Sequence, residues 1–308
     1  MDSIYYINRE NGKVEQEKVY GASALKLLYG NDWFSKLLGP FLLHTLVKYP
    51  FFSALYGKWQ ASSRSKRKIA PFIRNFGVNP SEFLEEISQF NSFNDFFIRK
   101  LKSQVRPIAP NDDVAIMPAD GRYLFFSNIS EADGFAVKGE KFDLASLLDD
   151  PVLAEHYTHG TMVMARLCPT DYHRYHFPCD CVPGETKVIN GWLYSVNPAA
   201  IKKDIQIFTK NKRTLCKLET THFGTVLFLE IGATNVGSIH ETYQPHVFQN
   251  KGAEKGYFSF GGSSLILLFE PNKILIDQDL LDATKQGLEI KCLMGQQMGR
   301  MRSKKEKE

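Results

Sequence analysis

The sequence predicts an α+β fold in which a mostly helical N-terminal region precedes a β-rich domain. Before residue 106, apolar residues recur at spacings of three and four, as on the buried face of amphipathic helices. After Arg106-Pro107, short apolar runs alternate with Gly, Pro and Asn, which is typical of buried strands joined by turns. With 308 residues, 43% of them hydrophobic, the chain is long enough for one large or two small cores.

The helical region is predicted to cover residues 1–105. Within it, the stretch from Trp33 to Tyr56 is strongly apolar, but prolines at positions 40 and 50 interrupt it. A helix that spans a bilayer needs about 20 continuous apolar residues, so we predict two short helices in the membrane interface instead. The predicted membrane contacts are Trp33, Phe41, Phe51 and Phe52. The alternative is that these helices pack against the rest of the protein.

A basic cluster follows this stretch and consists of Arg64, Lys66, Arg67 and Lys68. Each basic residue near an anionic membrane surface contributes roughly 1 kcal/mol of attraction. We therefore predict that the cluster binds a membrane, although a solvated loop is the ordinary alternative. A further amphipathic stretch from Pro80 to Leu101 is predicted to be helical, with apolar residues at helical spacing.

The β-rich domain is predicted to cover residues 106–300, followed by a charged, disordered tail over residues 301–308. Three continuous apolar runs are predicted to be buried strands: Gly160–Leu167, Thr225–Ile231 and Ser264–Phe269. The two parts together leave little of the chain outside a folded region.

Composition excludes several classes of function. The formal net charge is only +4, so nucleic-acid binding is not expected. The five cysteines form no CxxC pair, and residues 1–16 lack the pattern of a leader, which together predict reduced thiols in a cytosol-facing protein. No GxGxxG, P-loop or HExxH motif occurs, and no metal site is expected.

Three segments contain candidate chemical groups: Met117-Pro-Ala-Asp-Gly121, residues 168–178 with His173 and His176, and residues 255–265 with Gly261-Gly262-Ser263. Each has an ordinary explanation. Asp-Gly is a common turn, two histidines do not make a metal site without further ligands, and a Gly-Gly pair before a strand can be a tight entry.

Taken together and in this order, the three segments resemble the signature segments of phosphatidylserine decarboxylases. Residues 90–101, 193–198, 211–213 and 232–239 resemble the same family, so that the resemblance extends from about Gly21 to Gly299. It implies a proenzyme in which the β-rich domain is catalytic. The expected setting is a bacterial cell membrane, with the protein bound peripherally on the cytoplasmic side.

The resemblance implies that Ser263 attacks the carbonyl of Gly262 and turns the amide into an ester. His176, backed by Asp120, is expected to take the hydroxyl proton, and the Gly-Gly pair permits a distorted backbone. β-Elimination and hydrolysis then leave a pyruvoyl group derived from Ser263, in two chains, 1–262 and 263–308, that stay associated. The sequence departs from many family members, which have threonine where Ser264 stands. The position of the Gly-Ser bond favours Ser263 as the precursor of this group, and Ser264 is the alternative.

The pyruvoyl cofactor is expected to form a Schiff base with phosphatidylserine, release CO₂ and yield phosphatidylethanolamine. His173 is expected to serve decarboxylation, as proton donor. One alternative is a pyruvoyl-dependent decarboxylase of a soluble amino acid, and another is a membrane-binding protein without activity. The sequence leaves the oligomeric state open, a homo-oligomer included.

Overall fold

The structure, a computed structural model, describes residues 3–21, 26–28, 33, 50–131, 143–201, 204, 206–233, 239–261 and 263–303. Phe41 and Gly262 lie outside the described residues, as do most of the predicted interfacial stretch and the end of the charged tail. For Phe51 and Phe52 the structure describes the backbone, which is helical, and not the side chains.

Sixteen strands and eight α-helices make up the described part of the chain. The strands are β1 (Tyr5–Asn8), β2 (Lys13–Gln16), β3 (Val114–Ile116), β4 (Gly121–Phe126), β5 (Thr161–Leu167), β6 (Arg174–His176), β7 (Cys181–Pro183), β8 (Lys187–Ile189), β9 (Arg213–Thr220), β10 (Thr225–Gly232), β11 (Ile239–Glu241), β12 (Glu254–Phe258), β13 (Ser263–Phe269), β14 (Ile274–Ile276), β15 (Glu289–Cys292) and β16 (Gln297–Met301). The helices are α1 (Pro50–Gln60), α2 (Ile69–Phe76), α3 (Phe93–Phe97), α4 (Leu144–Leu148), α5 (Pro151–Tyr157), α6 (Pro198–Ile201), α7 (Ile207–Lys210) and α8 (Gln278–Lys285).

A ten-stranded sheet forms the centre of the molecule, in the order β2-β1-β15-β4-β5-β13-β10-β9-β7, with β8 also paired to β9. Two three-stranded sheets accompany it, β11-β12-β6 and β14-β16-β3. The α+β class predicted from the sequence is therefore confirmed, and it is β-rich.

The central strands β5, β13 and β10 coincide with the three apolar runs, so that this prediction is confirmed. They are continuous apolar runs because both faces of the sheet are covered. In β13, Leu265 and Leu267 point into one hydrophobic core, whereas Ile266 and Leu268 point into a second core on the other face. This alternation places Ser263 on the side of Leu265, and Ser264 on the opposite side.

Residues 5–8 and 13–16 form strands within the region predicted to be mostly helical. Strands β1 and β2 form an antiparallel hairpin, and β1 pairs in parallel with β15, which extends the central sheet. Gly12 in the turn has a φ of 68°, a left-handed conformation that glycine adopts without strain. The β-favouring residues Tyr5-Tyr6-Ile7 and the Asn11-Gly12 turn pair are the local signals for this hairpin.

From Pro50 onward, the N-terminal region contains short α-helices and 3₁₀ turns. Between Pro80 and Leu101 the only α-helix among the described residues is α3, which begins after Ser92, whose Oγ accepts the Asp95 amide at 3.0 Å. Short 3₁₀ turns occupy Ser63–Lys68, Pro80–Glu82, Ile87–Gln89 and Ser103–Val105. None of the described helices is long and apolar enough to cross a membrane.

The aromatic residues of this region form a core of their own. Phe72, Phe93, Phe96 and Phe97 are buried together with Phe260, which lies shortly before the predicted cleavage bond. Of the predicted interfacial stretch Trp33–Tyr56, Tyr56 is half-buried against this core. All five cysteines are free and buried, as the sequence predicts.

Candidate active site

Ser263 is the first residue of β13 and is fully buried. It pairs with Leu167 of β5 on one side and with Gly232 of β10 on the other. Its Oγ lies 3.4 Å from Nδ1 of His173. The hydroxyl is therefore held at the centre of the sheet, next to an imidazole.

Both ring nitrogens of His173 have a partner, and these contacts orient the ring. Nε2 lies 2.8 Å from the carbonyl oxygen of Cys168, and a carbonyl only accepts, so the proton is on Nε2. The lone pair of Nδ1 consequently points at Ser263. Phe97 stacks on the imidazole with ring centres 3.9 Å apart. Burial lowers the pKa of His173 to about 3, so the ring is neutral at pH 7 and Nδ1 can accept a proton.

His176 has hydrogen-bond partners other than Ser263. Its Nδ1 donates to the carbonyl of Gly252 at 2.9 Å, and its Nε2 accepts the hydroxyl of Tyr172 at 3.2 Å. Burial lowers the pKa of His176, an effect that Gly252 and the nearby carboxylate of Asp120 oppose in part. Within the described residues, His176 makes no hydrogen bond to Ser263, and His173 is the histidine that does.

Asp120 precedes β4 and is bound by a guanidinium. Arg106 donates to it through Nε at 2.9 Å and Nη2 at 2.6 Å, and the amide of Met294 donates to Oδ1 at 2.8 Å. Asp120 is nevertheless close to His176, because the His176 amide donates to the carbonyl of Pro118 at 2.8 Å. The segments that contain Asp120 and His176 are therefore joined by a backbone hydrogen bond, and the charge of Asp120 acts on the His176 ring. The Asp120 carboxylate itself accepts its side-chain hydrogen bonds from Arg106.

Ser264 faces away from the histidines, as its position in β13 requires. Its Oγ is buried and has no hydrogen-bond partner among the described residues. It borders a cavity of about 30 Å³ together with Met164 and Phe208, on the other side of the sheet. The geometry therefore favours Ser263 over Ser264 as the reacting residue.

Two larger cavities flank the histidine segment, each of about 500 Å³. The first is mainly apolar and adjoins Gly261, and its other lining residues include Tyr20, Tyr56, Val196 and Phe260. The second is polar, and its lining residues include Arg99, Arg106, Asp120 and Tyr172. Among the residues that the structure describes, no cluster of His, Cys, Asp and Glu is suited to hold a metal ion.

Sequence reasoning missed Arg106, Tyr172 and Phe97 as members of the site. All three lie in or next to segments that the sequence analysis singled out, but their roles depend on contacts across the fold. Phe97 and His173, for example, are 76 positions apart and stack directly.

The predicted membrane contacts fall into two groups. Arg64 and Arg67 are exposed, and so is Trp33, with 76% of its surface accessible. In contrast, Nζ of Lys66 donates to the carbonyl of Ser88 at 2.8 Å, and Nζ of Lys68 lies 3.4 Å from the centre of the Trp59 ring. Two of the four basic residues thus also stabilise the local fold.

A buried serine hydroxyl facing a neutral, oriented imidazole is the arrangement of a nucleophile and its base, so the fold and the site define an enzyme. The model of the phosphatidylserine decarboxylase family matches residues 93–300. The phosphatidylserine decarboxylase proenzyme of Chlamydia pneumoniae is 47% identical over 97% of this chain and 98% of its own length. Those of Chlamydia caviae and Chlamydia muridarum are 46% and 44% identical, over 97% and 96% of this chain and 99% and 96% of their own lengths.

The chain belongs to the phosphatidylserine decarboxylase family. The resemblance noted from the sequence is thereby confirmed, and so is the enzyme class, a carboxy-lyase. These relatives are bacterial proteins and are named as proenzymes.

Proposed function

We propose that this protein decarboxylates phosphatidylserine to phosphatidylethanolamine, using a pyruvoyl group that it makes from its own Ser263. Family membership supports the reaction. The observation that carries the self-processing step is the 3.4 Å approach of the Ser263 hydroxyl to a neutral imidazole. Decarboxylation of a soluble amino acid, the alternative, has no comparable support from the relatives.

Self-cleavage begins when the Ser263 Oγ attacks the carbonyl carbon of Gly262 and its proton moves to Nδ1 of His173. The C–N bond breaks, the amine of Ser263 takes up the proton, and an ester remains. Removal of the Cα proton of Ser263 then expels the Gly262 carboxylate and leaves a dehydroalanine. Its imine tautomer is hydrolysed by one water to a ketone and ammonia, so that atoms and charges balance.

Our proposal gives the first proton transfer to His173, whereas the sequence-based hypothesis gave it to His176. His173 has the free lone pair directed at Ser263, and a backbone carbonyl fixes its tautomer as a carboxylate does in a serine–histidine–aspartate triad. His176 and Asp120 remain proposed members of the site. His176 accepts the hydroxyl of Tyr172, and the carboxylate of Asp120 accepts from Arg106.

The residues around Ser263 suit a covalently attached ketone. Ser263 opens a strand that is paired on both sides, so the new N-terminus stays in the centre of the sheet. When present, the pyruvoyl group withdraws electrons from the substrate carbon that loses CO₂. His173 is proposed to hold a proton at Nδ1 and to return it to that carbon, and the apolar cavity beside Gly261 is proposed to admit the lipid.

The setting that we propose is the membrane surface, with the protein bound peripherally. Phosphatidylserine does not readily leave a bilayer, so the enzyme has to reach it there. The exposed residues Trp33, Arg64 and Arg67 supply an apolar contact and attraction to anionic headgroups.

Intact-mass analysis of the purified protein tests the self-processing step. We expect two chains under denaturing conditions, the smaller being the 46 residues from position 263 to 308, or about 5 kDa of the 35.1 kDa total. A hydrazide probe should label the smaller chain at its ketone. Ser263→Ala should remain one chain. Wild-type protein that stays uncut with a free serine, or Ser263→Ala protein that still splits at this bond, would contradict the proposal.

Under native conditions the two chains should stay together. The smaller chain contributes β13 to the centre of the large sheet and β15 to the same sheet, and β16 pairs with β3. Separation of the chains without denaturant would contradict this part of the proposal.

A further inference from the structure

Two tyrosines of the N-terminal region line the apolar cavity beside Gly261. The rings of Tyr20 and Tyr56 both pack against Phe260, with ring centres 6.0 Å and 5.9 Å from the centre of that ring. Phe72 and Phe76 also contact the Tyr20 ring, at 5.5 Å and 5.7 Å between ring centres. Packing therefore fixes the position of the Tyr20 hydroxyl, next to the residues that precede the proposed cleavage bond.

A buried amide determines the direction of the hydrogen bonds that reach these hydroxyls. Gln60, the last residue of α1, is fully buried. Its Oε1 accepts from Nζ of Lys68 at 3.1 Å, and its Nε2 donates to the Tyr56 hydroxyl at 3.0 Å. An ammonium group can only donate, so the amide oxygen has to face Lys68 and the amide nitrogen has to face Tyr56. The Tyr56 oxygen is therefore an acceptor, and its own proton is available to another group.

That other group is the hydroxyl of Tyr20, which is hydrogen-bonded to the hydroxyl of Tyr56. Burial has the largest influence on both phenols and raises the pKa of each. The hydrogen bond lowers the pKa of Tyr20 and raises that of Tyr56 further, as expected when Tyr56 is the donor. Among the described residues, no other side chain is hydrogen-bonded to the Tyr20 hydroxyl. The Tyr20 proton is consequently left for an acceptor in the cavity.

This series of donors starts at a cation and ends in an apolar space. It runs from the ammonium group of Lys68 through the Gln60 amide and the Tyr56 hydroxyl to Tyr20. Each hydrogen bond in such a chain polarises the next, so that the last hydroxyl is a stronger donor to an anionic oxygen than an isolated phenol is. Two charged residues that also line the cavity, Glu17 and Arg166, bind each other at 2.7 Å.

A phosphodiester suits this donor. It is anionic, and in a phospholipid it is attached to the apolar chains that an apolar cavity can hold. In phosphatidylserine only one carbon and one oxygen separate the phosphorus from the carbon that loses CO₂. A phosphate held at the wall formed by Tyr20 and Phe260 would therefore place the serine part of the lipid close to Gly261.

We propose that Tyr20 is a substrate-binding residue, whose hydroxyl donates a hydrogen bond to a phosphodiester oxygen of the phospholipid in the apolar cavity. Tyr56 is a positioning residue that keeps the Tyr20 proton directed at this oxygen. The inference rests on the proposed function, in which this cavity admits the lipid. It involves none of the groups that act in self-cleavage.

Calorimetric titration of full-length Ser263→Ala protein measures lipid binding without cleavage or turnover. The probe is dihexanoylphosphatidylserine below its critical micelle concentration, so that binding to a membrane surface does not contribute. Tyr20→Phe in this background should raise the Kd at least about tenfold, because an anionic oxygen loses its hydrogen bond. Tyr56→Phe should raise the Kd less, by about threefold, since Tyr20 keeps its proton but loses the polarising donor.

Tyr157→Phe is the matched control. Tyr157 is also a buried tyrosine, but its hydroxyl donates to the Thr225 carbonyl at 2.8 Å, away from the cavity beside Gly261. This variant should bind the probe with the Kd of the background protein.

Two analogues of the probe identify the oxygen that accepts from Tyr20. Dihexanoylphosphatidylethanolamine lacks the carboxylate, and the diether form of the probe lacks the ester carbonyls, but both keep the phosphodiester. Tyr20→Phe should weaken the binding of all three lipids by a similar factor. A loss confined to phosphatidylserine would assign the hydrogen bond to the carboxylate, and a loss that disappears with the diether would assign it to an ester. Either result would overturn the proposal.

Kinetics of the processed enzymes separate substrate binding from a general loss of structure. With phosphatidylserine in mixed micelles and rates expressed per pyruvoyl group, counted with a hydrazide probe, KM should rise more than kcat falls in both Tyr20→Phe and Tyr56→Phe. A fall in kcat at unchanged KM would contradict the binding role.

Unchanged affinity in Tyr20→Phe, an equal loss in Tyr157→Phe, or no binding of the probe to the background protein would also overturn the inference. Should Tyr20→Phe fail to fold, as judged by near-ultraviolet circular dichroism, Tyr56→Phe carries the test, and an unchanged Kd in that variant refutes the inference. The proposed function is tested separately, by self-cleavage and CO₂ release of wild type. If wild type does both and Tyr20→Phe binds the lipid normally, only the role of Tyr20 is refuted.

Discussion

At the scale of single residues, the tautomers of His173 and His176 determine which ring has a free nitrogen that faces Ser263. His173 donates from Nε2 to a backbone carbonyl and keeps Nδ1 free for the serine. His176 donates from Nδ1 to Gly252, and its Nε2 is already occupied by the Tyr172 hydroxyl. Both rings are buried and have lowered pKa values, so geometry and not charge distinguishes them.

The two histidines should therefore differ in their effect on processing. We expect His173→Ala to accumulate uncut precursor, because it removes the only imidazole in contact with the Ser263 hydroxyl among the described residues. His176→Ala should cleave faster than His173→Ala. Gel or mass analysis of both variants gives the answer. Normal cleavage of His173→Ala together with a complete block in His176→Ala would restore the assignment expected from the sequence.

At the scale of elements, a buried ion pair connects the three-stranded sheet that contains His176 to the large sheet that contains Ser263. Nζ of Lys255 in β12 lies 2.5 Å from Glu230 in β10 and 3.2 Å from Glu241 in β11. Burial opposes the charge of Lys255, but the two carboxylates raise its pKa. Because β12 pairs with β6 and β10 pairs with β13, this ion pair links the strand beside His176 to the strand beside Ser263.

Breaking this ion pair on one side should be worse than removing it entirely. In a Ser263→Ala background, Lys255→Met should lower the free energy of unfolding by about 3–5 kcal/mol, since Glu230 is left buried and unpaired. Lys255→Met with Glu230→Leu should recover most of that loss, because apolar replacement of a buried pair is often neutral. Urea unfolding measures both variants. An equal loss in the single and double variants would contradict the explanation.

The basic 3₁₀ segment Ser63–Lys68 contains two exposed arginines and two lysines that contact other parts of the protein. Substitution of the arginines alone tests membrane binding separately from the local fold. Arg64→Gln with Arg67→Gln should weaken binding to anionic vesicles by roughly 2 kcal/mol, or about 30-fold, and leave self-cleavage unchanged. The effect should shrink as salt rises. Lys217→Gln with Lys285→Gln, two exposed lysines of the sheet domain, is the matched control. Equal vesicle binding by both double variants would remove the basic cluster from the proposed membrane surface.

At the scale of the whole molecule, the N-terminal region serves the catalytic core directly. Its hairpin extends the central sheet through β15, and its aromatic cluster buries Phe260 and reaches His173 through Phe97. The apolar cavity beside Gly261 is lined by both parts of the chain, including Tyr20 and Tyr56 from the N-terminal region. A substrate in this cavity would contact both the N-terminal region and the β-rich domain.

This architecture predicts a preference for a substrate with an apolar part. The processed enzyme should release CO₂ from phosphatidylserine in vesicles far faster than from free serine, because only the lipid fills the cavity of about 500 Å³ and is presented at the membrane. Measuring CO₂ from both substrates with one enzyme preparation decides the question. Equal efficiency would favour the soluble amino-acid alternative.

The sequence by itself determined the central strands and singled out the serine that we propose as the reacting residue. Long apolar runs specify strands covered on both faces, and the Gly-Gly-Ser-Ser segment at the start of one of them contains the proposed cleavage bond. These features are local, so they can be read from neighbouring residues.

Only the tertiary structure decided which histidine meets that serine and what holds it there. His173 lies just before the short strand β6 and His176 is its last residue, so the three-residue spacing alone does not say which ring faces the serine. Their partners Phe97, Gly252 and Ser263 come from distant parts of the chain, and Asp120 is bound by Arg106 from before the sheet begins. Spacing along the chain does not encode such contacts, because strand pairing and helix packing bring these residues together only when the fold is complete.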